Sequence, residues 1–301
     1  MGPRGDHRVP VVAIALRRGY LADVLVLIKA RIAAWTLFTV VAGFVLGAQP
    51  GTQEVLLPLI LGTALVIAGA NALNQVAEVD VDARMRRTRN RPLPAGRMAV
   101  GPVATVAGLA GVTGIALLAV AVNGLTAALA ALTLVSYVFF YTPLKRRSTV
   151  ATLVGAVPGA LPIAGGWAAA RGQIDATAVV LFLILFLWQM PHFLALSWLY
   201  REDYAQAGLR MLAGSDPTGR LTFAHATVYA AALIPITLLP TMMGLAGRAY
   251  FWGALILTLA YGWAALTTAI WPSTARARRL FLWSIGYLPV LLTLMMVDTG
   301  V

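Results

Sequence analysis

Apolar stretches of about 20 residues recur along the chain between Ala33 and Val297, separated by charged residues, prolines and glycines. A helix of that length can cross the roughly 30 Å hydrocarbon core of a bilayer. The pattern therefore predicts an all-α, polytopic membrane protein with a single integral-membrane domain over residues 1–301. The nine predicted spans are about 32–48, 55–74, 99–122, 124–141, 150–170, 176–200, 221–244, 249–271 and 279–298.

Composition excludes a soluble globular domain. Of 301 residues, 60% are hydrophobic and only 11% are charged, against roughly a quarter charged in an average soluble domain. Cysteine is absent from the sequence, which excludes disulfides, thiolate metal sites, iron–sulfur clusters and a cysteine nucleophile. Any metal ion must therefore be held by oxygen or nitrogen ligands.

Positive charges follow the predicted topology. The net charge is +12, and 21 of the 23 Lys and Arg residues fall on alternate connections: six before span one, six between spans two and three, and three after each of spans four, six and eight. This asymmetry predicts an N-in, C-out orientation and accounts for the charge without a nucleic-acid partner. It also favours two separate spans around Asn123-Gly124, because fusing them would move every later connection to the other side. The first 30 residues lack the features of a cleavable signal peptide.

The end of span two concentrates polar groups. On a continuous helix, Asn74, Glu78 and Asp82 fall within an arc of roughly 80° and about 12 Å of axis, with Asn71 on the same stripe. Asp80 points elsewhere on such a helix, so it either makes a separate contact or marks the end of the helix. An intramembrane carboxylate costs roughly 2.5–3.5 kcal/mol, so a compensating cation is expected.

Two kinds of cation could compensate these carboxylates. Mg²⁺ takes oxygen ligands and leaves coordination positions for substrate phosphate, and the donors that follow would suit the remaining phosphate oxygens. The alternative is that the acids pair directly with the nearby arginines. The donors in question are Arg86, Arg87, Thr88, Arg89, Asn90 and Arg91.

Two further clusters of polar residues lie at or near the same side of the predicted membrane. His192 follows Pro191 inside span six, and on an uninterrupted helix it would share a face with Asp203 about 16 Å away; a kink at Pro191 is the alternative. His192 itself could be a ligand or a packing residue. The stretch after span four carries basic residues that could contact a diphosphate, or that could simply follow the positive-inside rule. Its candidate residues are Tyr141, Lys145 and Arg146. Span five is rich in glycine and proline over residues 154–166, which permits close helix approach and a broken or bent helix lining a cavity; packing alone is the alternative.

Taken together, these segments resemble the UbiA-type intramembrane prenyltransferases, and within that superfamily they are most similar to the haem-directed branch. The segments that carry the resemblance are Asn74-Gln75 to Glu78, Asp82, Met85, Arg87-Thr88, Asn90-Arg91-Pro92, residues 141–146, residues 154–162, residues 188–193, residues 201–204 and residues 208–212.

The resemblance implies nine helices around a central cavity open to the cytoplasmic side, and two acidic motifs that bind Mg²⁺ and diphosphate. By position it implies a catalytic set of Asn74, Glu78, Asp82, Asp203 and Lys145, with Glu78, Asp82 and Asp203 as metal ligands. It assigns substrate contacts to Asn71, Arg87, Arg91, Arg146, Tyr141, His192, Arg201, Lys29 and Arg31.

Three positions depart from the superfamily pattern. Glu78 stands where many members have Asp, which favours the haem-directed branch. Ala207 stands where the second acidic motif usually has a paired Asp, and Ala30 replaces a usual Pro between Lys29 and Arg31.

The implied activity is Mg²⁺-dependent transfer of a farnesyl group from farnesyl diphosphate to a vinyl group of haem B, which makes haem O in the cell inner membrane. A haem A synthase that consumes the product is an implied partner, beside the lipid bilayer. Two alternatives stay open: a relative that prenylates an aromatic or quinone acceptor, and an ion- or proton-coupled transporter. A transporter would place its acids near the bilayer midplane, whereas these lie at the ends of spans beside arginines.

Overall fold

Nine helices long and apolar enough to cross a membrane make up most of residues 18–299, the part of the chain that this computed structural model describes. The long helices are α2 (Ala30–Gly47), α3 (Leu56–Ala77), α5 (Val100–Ala121), α6 (Gly124–Val135), α8 (Ala151–Arg171), α9 (Ala176–Leu199), α11 (Arg220–Met242), α12 (Arg248–Ile270) and α13 (Thr274–Val297). A π-helical segment, Ser136–Tyr141, and the short α7 (Thr142–Leu144) complete the span begun by α6. The remaining short helices are α1 (Arg18–Leu27), α4 (Val79–Arg84) and α10 (Arg201–Gln206), and 3₁₀ turns cover Thr52–Val55 and Leu212–Gly214.

The all-α prediction is confirmed, and the observed spans agree with the predicted ones to within a few residues at most ends. Spans three and four are separate helices, because Asn123 caps α6 by accepting a hydrogen bond from the Thr126 backbone N–H at 2.8 Å. The largest difference is at α13, which begins at Thr274 instead of the predicted 279. Its N-terminus is capped by Ser273, so the helix starts before the apolar run does.

Helix α8 is the most buried of the nine spans and packs tightly against α2. Gly43 lies against the backbone of Ile163, and Gly166 lies against the backbone of Val40, so that a Cβ at either glycine would collide with a carbonyl oxygen. Small residues allow membrane helices to approach this closely. Of the alternatives predicted for this span, close helix approach is observed and a broken helix is not, since α8 is continuous through Pro158 and Pro162.

The second half of the bundle surrounds a separate apolar core. Helices α9, α11, α12 and α13 bury three tyrosines, Tyr250, Tyr261 and Tyr287, each at most 1% exposed. Tyr287 and Thr258 share a hydrogen bond of 2.7 Å, and Tyr261 donates one to the Trp188 carbonyl at 3.1 Å. Aromatic packing thus holds these helices together, with the hydroxyls of Tyr261 and Tyr287 hydrogen-bonded and that of Tyr250 without a partner among the described residues.

The connection between α10 and α11 contains a buried carboxylate, Asp216. It accepts hydrogen bonds from the Thr222 backbone N–H at 2.7 Å, the Thr222 hydroxyl at 2.8 Å and the Gly219 N–H at 3.0 Å. Burial alone would raise the pKa of Asp216, but these hydrogen bonds outweigh it and hold the pKa below its usual value. The carboxylate therefore satisfies backbone donors at the start of α11 that the helix itself leaves unpaired.

We expect Asp216→Ala to lower the free energy of unfolding by about 1–2 kcal/mol, because it removes this cap. Since the folded-state pKa is depressed, the contribution is present above about pH 4 and is lost as the pH falls through the folded-state pKa. Thermal unfolding in detergent at pH 7 measures the effect. The matched control is Asp175→Ala, which removes a single cap bond of 3.0 Å at α9 and should cost less. Equal melting temperatures for the wild type and Asp216→Ala would contradict the prediction.

Candidate active site

A network of buried polar side chains lies where the end of α3 meets α7. The Asn74 amide nitrogen donates to Glu78 Oε2 at 2.9 Å and to Thr142 Oγ1 at 3.0 Å, and its oxygen accepts from Lys29 Nζ at 2.7 Å. Lys145 Nζ lies 2.5 Å from Glu78 Oε1. The network thus joins residues from three separate parts of the chain: the break before α2, the end of α3, and the α7 region.

The two lysines of this network have opposite electrostatic surroundings. Burial, together with the nearby positive charges of Arg91 and Lys145, lowers the pKa of Lys29 to about 7. Burial also opposes the charge on Lys145, but Tyr141 and Glu78 outweigh it and hold its pKa above the usual value. Lys145 is therefore a permanent cation paired with Glu78.

The chain changes direction within the predicted acidic stripe. Helix α3 ends at Ala77, and Glu78, with φ −114° and ψ 14°, separates it from α4. The expectation of one continuous helix through Asp82 is therefore wrong. The bond between Asn74 and Glu78 still forms, because it spans the last turn of α3. Asp80 makes the separate contact that the sequence left open: it forms two hydrogen bonds with the Arg146 guanidinium, at 2.6 and 3.0 Å.

Asp82 is buried on α4, with 1% of its surface exposed. Its Oδ2 lies 2.7 Å from Arg91 Nη1, and its backbone carbonyl accepts a hydrogen bond from the Thr88 hydroxyl at 2.9 Å. The Asp82–Arg91 pair is the direct pairing with a nearby arginine that the sequence left open, whereas Glu78 pairs with Lys145 from a different segment. Each buried carboxylate thus has a basic side chain as its partner, which offsets the cost of its burial.

Lys29 reaches the network from a break between α1 and α2. It is the one non-glycine residue of positive φ in residues 18–299, at 52°. Two amide side chains of α3 hold this break: Gln75 donates to the Leu27 carbonyl at 2.6 Å, and Asn71 donates to the Ile28 carbonyl at 2.9 Å. Asn71, predicted as a substrate contact, thus supports the backbone before Lys29.

The π-helical segment Ser136–Tyr141 explains how Thr142 and Tyr137 reach the same network. Pro143 has no backbone N–H to continue the α-helical pattern, and the Thr142 N–H bonds to the Tyr137 carbonyl five residues earlier. The wider turn brings the Tyr137 hydroxyl to 3.1 Å from Lys29 Nζ. Single π turns occur often at functional sites.

The segment that follows α10 also contacts this region, next to Lys145 and α4. The Arg210 N–H donates to the Lys145 carbonyl at 2.8 Å, and a small apolar cluster joins α4 to the segment after α10. Asp203 lies in α10, partly buried, and no described residue forms an ion pair or side-chain hydrogen bond with it. The members of the apolar cluster are Val81, Met85, Ala207, Leu209 and Met211.

The predicted metal ligands are not gathered into one cage. Within residues 18–299, no three His, Asp or Glu side chains are close enough to hold a metal ion between them. Helix α9 passes Pro191 without interruption but ends at Leu199, so the predicted shared face of His192 and Asp203 is wrong. Tyr200 separates the two helices, with φ −113° and ψ 21°.

The other predicted contacts are distributed around this network. Tyr141 lies under Lys145, whose Nζ is 4.8 Å from the ring centroid, and Arg87 lies 4.9 Å from the Tyr200 ring. The structure does not bring three others into the network. Arg31 is exposed on α2, Arg201 stacks on Trp198 at 4.4 Å and bonds to its carbonyl, and His192 hydrogen-bonds Ser284 of α13 at 2.7 Å.

Sequence patterns did not single out three residues of this site: Tyr137 and Thr142 of the network, and Gln75, which holds the backbone before Lys29. Gln75 follows Asn74 directly, and a polar side chain within an apolar span was a usable signal. Tyr137 and Thr142 lie 63 and 68 residues from Asn74, their partner in the network. Nothing in their local sequence indicates that contact.

The model of the UbiA prenyltransferase family matches residues 36–285, which is most of the chain. The chain belongs to the UbiA prenyltransferase family. It is thus a multi-pass membrane protein of that family, and the transporter alternative is excluded. The match includes Asn74, Glu78, Asp82, Lys145 and Asp203, whereas Lys29 lies before its first residue.

Two relatives of this UbiA family member align with it over most of both chains. A protein of Koribacter versatilis is 43% identical over 289 residues, covering 92% of this chain and 93% of its own length. A protein of Salinibacter ruber is 43% identical over 279 residues, covering 92% of this chain and 99% of its own length. Both relatives are named protoheme IX farnesyltransferase.

Solved structures of UbiA homologues have the same fold at low sequence identity. The apo structure of a homologue from Aeropyrum pernix superposes with a TM-score of 0.71 at 17% identity, covering 90% of this chain and 98% of that one. A homologue from Archaeoglobus fulgidus bound to GPP and Mg²⁺ gives a TM-score of 0.63 at 16% identity, covering 91% of this chain and 99% of that one. These likenesses establish the fold.

Proposed function

We propose that the chain transfers a farnesyl group from farnesyl diphosphate to a vinyl group of haem B, in a reaction that requires Mg²⁺. The observation that carries the proposal is the buried network, in which carboxylates and cations from separate helices of a UbiA family member converge. The shared name of the 43% identical relatives supports haem B as the acceptor.

The charge of the network suits a diphosphate group. Lys29, Arg91 and Lys145 place three basic side chains around two buried carboxylates, Glu78 and Asp82. Amine and guanidinium donors that are already positioned can bind phosphate oxygens without much reorganisation. They would stabilise the negative charge that develops on the diphosphate as the allylic C–O bond breaks.

The donor set also fits Mg²⁺. Asn74, Glu78, Asp82 and Asp203 offer only oxygen ligands and amide groups, and Asp203 is free of ion pairs with the described residues. Mg²⁺ usually takes one or two carboxylates and fills its other positions with water and substrate phosphate, so a preformed cage of three carboxylates is not required. One or two of the carboxylates Glu78, Asp82 and Asp203 would hold the ion at a time, and the ion would supply charge neutralisation for the leaving diphosphate.

The remaining chemistry depends on exclusion of water. Asn74 and Glu78 are at most 5% exposed, and the surrounding helices are apolar. An allylic cation formed in such a site would be attacked by the vinyl group before water from bulk solvent reached it. The new carbon–carbon bond leaves a cation on the former vinyl group, which would then take up one water molecule and release a proton to give the hydroxyethyl group. The charge asymmetry of the connections supports an inner-membrane location with this network on the cytoplasmic side.

Turnover by the purified protein in nanodiscs tests the proposal. The protein is given haem B, farnesyl diphosphate and Mg²⁺, and haem products are followed by mass. A hydroxyethylfarnesyl haem is the expected product. Mg²⁺-dependent prenylation of an aromatic acceptor, without any haem product, would show that haem B is not the acceptor, while the proposed diphosphate site would stand.

Removal of the metal should abolish turnover. We expect EDTA to stop product formation completely and excess Mg²⁺ to restore it, because EDTA removes the divalent ion that neutralises the diphosphate. Thermal unfolding with and without EDTA is the control, and it should not change. Unchanged turnover in EDTA would contradict the role of Mg²⁺.

A further inference from the structure

A second polar contact, away from the network at Asn74, holds the ring of His192. The ring lies between Trp188, 5.6 Å away at 28°, and Phe281, 4.8 Å away at 31°. Its Nδ1 is 2.7 Å from Ser284 Oγ on α13. The imidazole therefore has a fixed plane and a fixed partner.

The donor in the hydrogen bond between His192 and Ser284 follows from a third atom, the Phe281 carbonyl oxygen. Ser284 Oγ also lies 2.5 Å from the Phe281 carbonyl oxygen. The Ser284 hydroxyl is the donor in this hydrogen bond, because a carbonyl has no proton to give. The Ser284 hydroxyl proton is thus used on Phe281, and Ser284 can only accept from His192.

This assignment fixes the tautomer of the histidine. A neutral imidazole carries one N–H, so a proton on Nδ1 leaves the Nε2 of His192 with a free lone pair. No described residue forms a hydrogen bond with Nε2, and the side chain is only partly buried. Trp188 strengthens the arrangement, because its Nε1 donates to the Ser284 carbonyl at 2.9 Å.

We propose that Ser284 is a positioning residue that fixes the Nδ1–H tautomer of His192, so that Nε2 serves as a nitrogen ligand to the iron of haem B. Histidines that bind metals commonly donate their other N–H to an oxygen atom, which sets the tautomer and the ring orientation. The inference rests on the proposed function, since it takes haem B as the acceptor. It assigns acceptor binding to α9 and α13, apart from the diphosphate network on α3 and α7.

Ferric haem B titrated into the full-length protein in nanodiscs tests this inference by visible spectroscopy. We expect a histidine-ligated spectrum for the wild type, its loss in His192→Gly, and its recovery in that variant on addition of imidazole. Ser284→Ala should weaken haem binding roughly 10-fold, within the range seen when the partner of a ligating histidine is removed. Ser284→Thr keeps the hydroxyl and should retain wild-type affinity.

The matched control is Ser197→Ala. Ser197 is also buried and also donates to a carbonyl of its own helix, at 2.9 Å, but it has no histidine partner. Its haem affinity should equal that of the wild type. Wild-type affinity and spectrum in Ser284→Ala would overturn the inference, as would equal losses in Ser284→Ala and Ser284→Thr. Farnesyl transfer by the wild type is measured separately, so failure of the proposed function is distinguished from failure of this inference.

Discussion

Replacing Asp82 with asparagine is expected to lower kcat by roughly 10²–10³-fold, the loss typical of removing one preorganised electrostatic group from a buried site. Asparagine keeps the shape of the side chain but removes the charge that pairs with Arg91 at 2.7 Å. It also removes one of the three carboxylates proposed to hold Mg²⁺. Initial rates of haem prenylation at saturating farnesyl diphosphate, measured across a Mg²⁺ series, give the effect.

The control for this substitution lies two residues away. Asp80→Asn changes the same residue type on the same short helix, but Asp80 is exposed and paired with Arg146 at the surface. Exposed pairs contribute about 0–1 kcal/mol, so activity should stay within about fivefold of the wild type. Equal losses in both variants, or unchanged activity in Asp82→Asn, would contradict the assignment of Asp82.

Replacing Gly166 with alanine is expected to prevent normal packing of α8 against α2. The added Cβ would collide with the Val40 carbonyl oxygen and approach the Phe44 backbone nitrogen at 2.9 Å. Neither backbone atom can rotate away as a side chain could, so the helices must separate. Overpacking of this kind costs about 1–3 kcal/mol or more. The measurement is the melting temperature and the folded yield in detergent.

The adjacent glycine provides the matched control. A Cβ at Gly165 meets nothing within 4 Å, and alanine favours the helix by roughly 1 kcal/mol over glycine. Gly165→Ala should therefore match or exceed the wild-type melting temperature. If Gly166→Ala were as stable as Gly165→Ala, the close contact of α2 with α8 would not be a determinant of the fold.

The spans could be predicted from the sequence because the bilayer imposes a length and an apolar composition on each of them. The break at Glu78 could not, because ideal helical geometry contains no information about where tertiary contacts end a helix. Asn74 and Glu78 were paired correctly since their bond is local, four residues apart. The start of α13 differed because Ser273, a polar cap, set the boundary in place of hydropathy.

The partners of the acids were the least predictable part of the site. Arg91 lies nine residues from Asp82, and the sequence offered it among several neighbouring donors. Lys145 lies on another span, and only the resemblance to a known family connected it with Glu78. Tyr137 and Thr142 had no local signal at all. Distant pairings of this kind arise from helix packing, which hydrophobic periodicity does not encode.

The π-helical segment makes the site sensitive to the number of residues as well as to their identity. Ser136–Tyr141 accommodates one more residue than an α-helical turn would, and Phe139 within it is exposed, without a contact of its own in the network. Deleting Phe139 would let the segment relax to an ordinary helix and rotate everything that follows by about 100°. Thr142 and Lys145 would then leave Asn74 and Glu78, although neither had been changed. A single-codon deletion in this span, at a position that faces lipid, could thus inactivate the enzyme while every side chain of the network is retained.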